Sequence, residues 1–179
     1  MRLFLGIPLA ESVRAQLTQP TARLRSAAPN LRWSASDSWH ITLQFLGNTT
    51  PAQYECLIPR LAQLRFVPVL IQLSSLGIFD RAGVFYVGIE LTAELIELQQ
   101  RIVAATTPCG FEPESRPYHP HITLARSKGQ GRPREIRVLR PHIERQPNFP
   151  SFLAGEFLLY ESHLSSAGST YEVRHRFSG

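Results

Sequence analysis

The chain has 179 residues, 43% of them hydrophobic, two cysteines and a formal net charge of +5. That hydrophobic share excludes a disordered chain, no run approaches the 18 apolar residues of a membrane span, and two cysteines, Cys56 and Cys109, are too few for a disulfide framework and lack metal-site spacing. No h-region with a cleavage site is visible, so a cytoplasmic protein is expected.

Residues 2–7 (RLFLGI) read as a strand closed by Pro8. Leu9, Val13 and Leu17 then recur at helical spacing until Pro20, which should end or kink the helix. Arg32-Trp33 and His40 to Leu46 read as strands, the second stopped by Gly47-Asn48. Thr50-Pro51 opens a helix with a hydroxyl cap and a proline at its first position, and Pro59 should bend or break it. "VLIQLSSLGIF" and "VFYVGIEL" flank "DRAG" as the two arms of a hairpin. Thr92 caps a helix through about Ala105, with Leu95, Leu98 and Ile102 on one side. After a proline-rich stretch come the strand His121 to Arg126, a basic segment, the strand "FLLYESHL", a turn at "SSAG" and a last strand, "YEVRHRF".

Regular β-α-β alternation and glycine fingerprints are missing, so the order fits an α+β fold of mainly antiparallel sheet with flanking helices. Each half of the chain supplies a strand, a helix and a His-Ile-Thr-Leu strand. Residues 1–179 therefore read as a single domain of two pseudo-symmetric lobes.

His-Ile-Thr-Leu occurs twice, at 40–43 and at 121–124. Side chains alternate along a strand, so His40 and Thr42 share one face, His121 and Thr123 another, while the Ile and Leu residues point to the core. Four common residues can repeat by chance. Here, however, the repeat places His and Thr on the same face and stands at matching positions in the two halves. If a pseudo-twofold relates the lobes, two imidazoles and two hydroxyls surround one small cavity. Phosphodiester cleavage without a metal needs such a set: one imidazole takes a proton from the attacking oxygen and the other gives one to the leaving oxygen. Threonine hydroxyls can hold the non-bridging phosphate oxygens.

With their flanks, "RLFLGIPL", "HITLQFLG", "RPYHPHITLAR" and "FLLYESHL" followed by "YEV", these motifs resemble the two-histidine (2H) phosphoesterase superfamily, in particular its RNA 2',3'-cyclic phosphodiesterase or 2'-5' RNA ligase branch. The resemblance implies a bilobal fold with the active site in the groove between lobes, and hydrolysis of a terminal RNA 2',3'-cyclic phosphate to the 2'-phosphate. It implies His40 as proton donor, His121 as proton acceptor, Thr42 and Thr123 as phosphate-holding hydroxyls, and Arg126 as the neutralising cation. Phe45 stands where the family has an aromatic able to touch a base. Strict alternation, however, aims Phe45 at the core and Arg126 away from His121, so the strand must end or twist before Arg126.

No cofactor is implied and no metal is expected: His119 and His121 form an H-x-H pair without a third ligand nearby. The partners implied are RNA ends bearing 2',3'-cyclic phosphate, or cyclic nucleotides, with no membrane and no obligate protein partner. Ligation of RNA through a 2'-5' linkage and RNA binding without catalysis are the rival readings. From Arg126 to Arg145 seven basic residues face two acidic ones, an excess equal to the net charge of the chain, and this segment is expected to guide RNA towards the site. His142, His163 and His175 have no partner motif, and Trp39 and Tyr118 read as packing residues.

Overall fold

The computed structural model describes residues 1–128, 133–143, 148–165 and 168–179. Nine strands among them form one antiparallel sheet: β1 (Arg2–Pro8), β2 (Arg32–Trp33), β3 (His40–Asn48), β4 (Val69–Phe79), β5 (Val84–Ile89), β6 (His121–Arg126), β7 (Ser151–Ala154), β8 (Glu156–Ser165) and β9 (Gly168–Ser178). Their order is β7-β4-β5-β6-β3-β1-β8-β9, with β2 paired to the far end of β6. Helices α1 (Glu11–Ala27), α2 (Pro51–Ala62) and α3 (Ala93–Thr106) cover one face; α4 (Arg140–Ile143) is a single turn. Val13, Leu17 and Leu24 of α1, Leu57 and Leu61 of α2, and Leu95, Leu98 and Ile102 of α3 share a core with Leu5, Ile41, Phe85, Ile122 and Phe157 of the sheet. Burial of each such side chain contributes roughly 1.5–3 kcal/mol.

The fold is α+β, and its sheet divides into two four-stranded wings, β7-β4-β5-β6 and β3-β1-β8-β9. The wings are not the halves of the chain. β8 pairs with β1, so the C-terminal hairpin completes the wing that the N-terminus begins. Phe4-Leu5-Gly6-Ile7 in β1 and Tyr86-Val87-Gly88-Ile89 in β5 lie beside β3 and β6 respectively, a second pair of matching segments.

Of the alternatives expected from sequence, a helix end is excluded at both Pro20 and Pro59: α1 runs on to Ala27 and α2 to Ala62. Both rings are on exposed positions, where water can bind the carbonyl that loses its amide partner. α2 begins with a capping box between Thr50 and Gln53. Cys56 and Cys109, 53 residues apart in sequence, form a disulfide that ties α2 to the 3-10 turn after α3. No helix among the described residues is long and apolar enough to cross a membrane. The basic segment holds a 3-10 stretch, Pro133–Leu139, whose Ile136 and Leu139 are fully buried, while Arg137 and Arg140 pair with Asp80 at 3.4 and 2.8 Å. Arg132 and Arg145, the Arg134 side chain and the Ser166-Ala167 tip of the expected "SSAG" turn lie outside the described residues.

Candidate active site

An antiparallel strand pair carries a local twofold axis, so two copies of one motif can pair with themselves. β3 and β6 do so: Ile41 stands opposite Ile122, which places His40 across from Thr123 and Thr42 across from His121. All four are half-buried, on the face away from the helices, whereas Ile41, Leu43, Ile122 and Leu124 are buried beneath them. The histidines occupy the diagonal of this square, roughly 7–8 Å apart at their strands. The two motif faces thus meet side by side at the seam between the wings.

Each motif ends in a bulge. Leu5 pairs with Gln44 and Gly6 with Thr42, leaving Leu43 as an extra residue. Phe85 pairs with Ala125 and Tyr86 with Thr123, leaving Leu124 extra in the same way. Both freed carbonyls find donors: Leu43 O accepts from Gln99 Nε2 of α3 at 3.5 Å, and Leu124 O from the Ser34 amide at 2.8 Å. The extra residue reverses the alternation beyond it. Gln44 therefore turns inward, and Phe45 emerges 58% exposed, its ring 6.1 Å from that of Phe4 on the histidine face. Core packing of Phe45, expected from strict alternation, is thereby overturned. The equivalent residue of the second motif is Arg126, exposed on the same face as His121. Its charge opposes protonation of both His40 and His121.

Both imidazoles are held alike. His40 Nδ1 donates to the Ser38 carbonyl and His121 Nδ1 to the His119 carbonyl, each at 2.8 Å. A carbonyl only accepts, so Nδ1 carries the hydrogen and Nε2 of each neutral ring keeps its lone pair. Each ring also rests on an aromatic pair from the next two strands of its wing. His40 lies 4.6 Å from Phe4 and 5.6 Å from Tyr160, which stack at 4.9 Å. His121 lies 5.4 Å from Tyr86 and 5.1 Å from Phe79, which stack at 4.2 Å. Tyr171 closes the first cage, edge-on to His40 at 5.0 Å; His119 closes the second, 6.3 Å from His121. Sequence reasoning missed these cages, because Phe4, Tyr160 and Tyr171 come from segments up to 167 positions apart. The signal available was the FLGI and YVGI pair.

Burial pushes His40 down to about 4; the Ser38 carbonyl works against this, and His121 and Arg126 add to it. His121 is lowered by the same leading cause; the His119 carbonyl works against this, and the charges of His119 and Arg126 add to it. The site therefore sets two neutral imidazoles beside a guanidinium, a setting that favours an anion. Tyr118 ties the motifs together by donating its hydroxyl to the Thr42 carbonyl at 3.1 Å. Trp39 is buried, as its packing role requires.

Residues 8–163 match the model of the 2'-5' RNA ligase superfamily. The chain belongs to this superfamily. A relative from Geobacillus stearothermophilus, named RNA 2',3'-cyclic phosphodiesterase, is 32% identical over 133 residues, covering 72% of this chain and 42% of that protein. The present chain thus matches less than half of that relative's length. One of the same name from Aeropyrum pernix is 35% identical over 128 residues, covering 66% of this chain and 73% of that protein. Among solved structures, Escherichia coli LigT complexed with 3'-AMP superposes with a TM-score of 0.78 at 27% identity, covering 99% of this chain and 97% of that one.

Three histidines of this superfamily member stand apart from the motif pair. His163 contacts Glu172 at 3.3 Å, His175 packs on Phe177 at 4.6 Å, and His142 is exposed in α4. Glu161, His163 and Glu172 cluster closely enough for a metal, but Arg174 already pairs with both carboxylates.

Proposed function

We propose that the chain hydrolyses terminal RNA 2',3'-cyclic phosphates to 2'-phosphates, without a metal, by acid–base catalysis between His40 and His121. The observation that carries this reading is the pair of diagonal imidazoles, each with Nδ1 occupied and Nε2 free. The names of the relatives and the 3'-AMP bound by the LigT neighbour support the substrate class.

His121 Nε2 takes a proton from water as the water oxygen attacks phosphorus. The bond from phosphorus to O3' breaks, and O3' takes a proton from His40 Nε2. The product carries a 2'-phosphate and a free 3'-hydroxyl. Thr42 and Thr123 donate to non-bridging oxygens, and Arg126 offsets the charge that builds there. Phe45, exposed beside Phe4, offers its ring to the terminal base.

His40 must be protonated to act as the acid, yet burial disfavours that charge. A phosphate monoanion between the rings reverses the balance, because an adjacent opposite charge favours the imidazolium. Substrate binding is therefore expected to take up a proton at neutral pH.

The test is incubation with a nucleoside 2',3'-cyclic monophosphate before and after dialysis against EDTA. The reading requires the 2'-monophosphate in both cases. A 3'-monophosphate would overturn the choice of leaving group, and loss of turnover reversed by a divalent metal would overturn metal independence.

A further inference from the structure

The two cages match except in their third wall. Ser38 and His119 stand two residues before the motif histidines and hold them through the same carbonyl contact. The Ser38 hydroxyl turns back to the Ala35 carbonyl at 2.7 Å. His119 instead lays its ring against the aromatic pair that supports His121, edge-on to Phe79 at 5.1 Å and to Tyr86 at 5.6 Å. His40 has the uncharged ring of Tyr171 in the corresponding place.

We propose that His119 is a positioning residue for the reaction, the one that sets the two motif histidines apart by reserving His121 for the basic role. This rests on the acid–base reading given above. The His119 carbonyl fixes the tautomer of His121, leaving Nε2 to meet water. The His119 ring is exposed, whereas His121 is half-buried. A charge on the His119 ring lies 6.3 Å from the His121 ring and opposes protonation there. The titratable or charged groups facing His121 are His119 from its own segment, Arg126 from β6, His40 from β3 and Tyr86 from β5; Phe79 of β4 brings no charge. The charges of His119 and Arg126 both oppose protonation of His121, while the His119 carbonyl contact favours it. The same repulsion returns the proton that His121 gains in each turnover to solvent.

The experiment compares the full chain with His119→Gln and His119→Lys. Imidazole NMR follows the titration of His121 without substrate, and kcat/KM on a nucleoside 2',3'-cyclic monophosphate is measured across pH. The titration midpoint of His121 rises in His119→Gln, and kcat/KM near pH 5 relative to that near pH 7.5 falls roughly threefold, the size expected for one charge at this range in a watery surround. His119→Lys restores both. An unchanged midpoint, or an equal drop in turnover at every pH, would overturn the proposal by reducing His119 to a structural prop. A shifted midpoint in a chain that turns over no cyclic phosphate in any form would leave the electrostatic link standing and remove the phosphodiesterase reading instead.

Discussion

His40 packs on Phe4 and Tyr160 beneath Tyr171, and His121 packs on Tyr86 and Phe79 beside His119. Strand register, bulge, carbonyl contact and stacked aromatic pair recur in both. The electrostatic setting does not: burial acts more strongly on His40, and only His121 has a second imidazole against it. A repeated strand thus supplies two equally placed nitrogens in unequal surroundings.

The strongest way to break this comparison is to delete either ring. His40→Ala and His121→Ala should each lower hydrolysis of a cyclic mononucleotide by roughly 10²–10⁴-fold, the usual worth of a positioned acid or base. Full activity in either variant would end the acid–base pairing.

The next effect separates the cages by acid stability. The unfolded chain protonates a histidine near 6.5, whereas folded His40 does so only near 4. Between those values the unfolded state binds the extra proton, so stability falls as pH drops through that window, by up to roughly 3 kcal/mol in all. Urea unfolding of His40→Asn should show a visibly flatter dependence from pH 6.5 to 4. An unchanged slope would mean that burial of His40 is not what resists acid.

Glycine provides a finer probe. A Cβ on Gly6 would stand 2.9 Å from the Ile41 carbonyl and 3.5 Å from His40 Cδ2, whereas one on Gly88 would meet the Ser74 hydroxyl at 2.9 Å. Backbone cannot yield as a hydroxyl rotor can. Gly6→Ala should cost roughly 1–3 kcal/mol and displace His40, while Gly88→Ala should cost under about 1 kcal/mol. Equal losses on denaturant unfolding would contradict the local packing described. The smallest effect is expected from Tyr118→Phe, which removes the donor to Thr42 O and should cost about 1 kcal/mol on the same assay.

Much of this site was legible in the chain. The repeated His-Ile-Thr-Leu named four of its residues, and period-two alternation correctly put Ile and Leu beneath them. Alternation failed two residues later, at Phe45 and Arg126, because nothing in "HITLQF" or "HITLAR" marks Leu43 or Leu124 as a bulge. The wings were misread as chain halves because strand pairing is decided by which edge is open, and β8 closes on β1 from the other end of the sequence. Pro20 and Pro59 looked like helix breaks; only their exposed positions make them tolerable. The Cys56–Cys109 bridge joins elements 53 residues apart, a distance over which two cysteines alone give no pairing signal.

The central claim is tested most directly by titrating the chain with inorganic phosphate while recording nitrogen spectra of its imidazoles. Nε2 of both His40 and His121 should respond along one common binding curve with one phosphate per chain, with Nδ1 of each keeping its hydrogen. A response confined to one ring, or two curves of different affinity, would contradict the account.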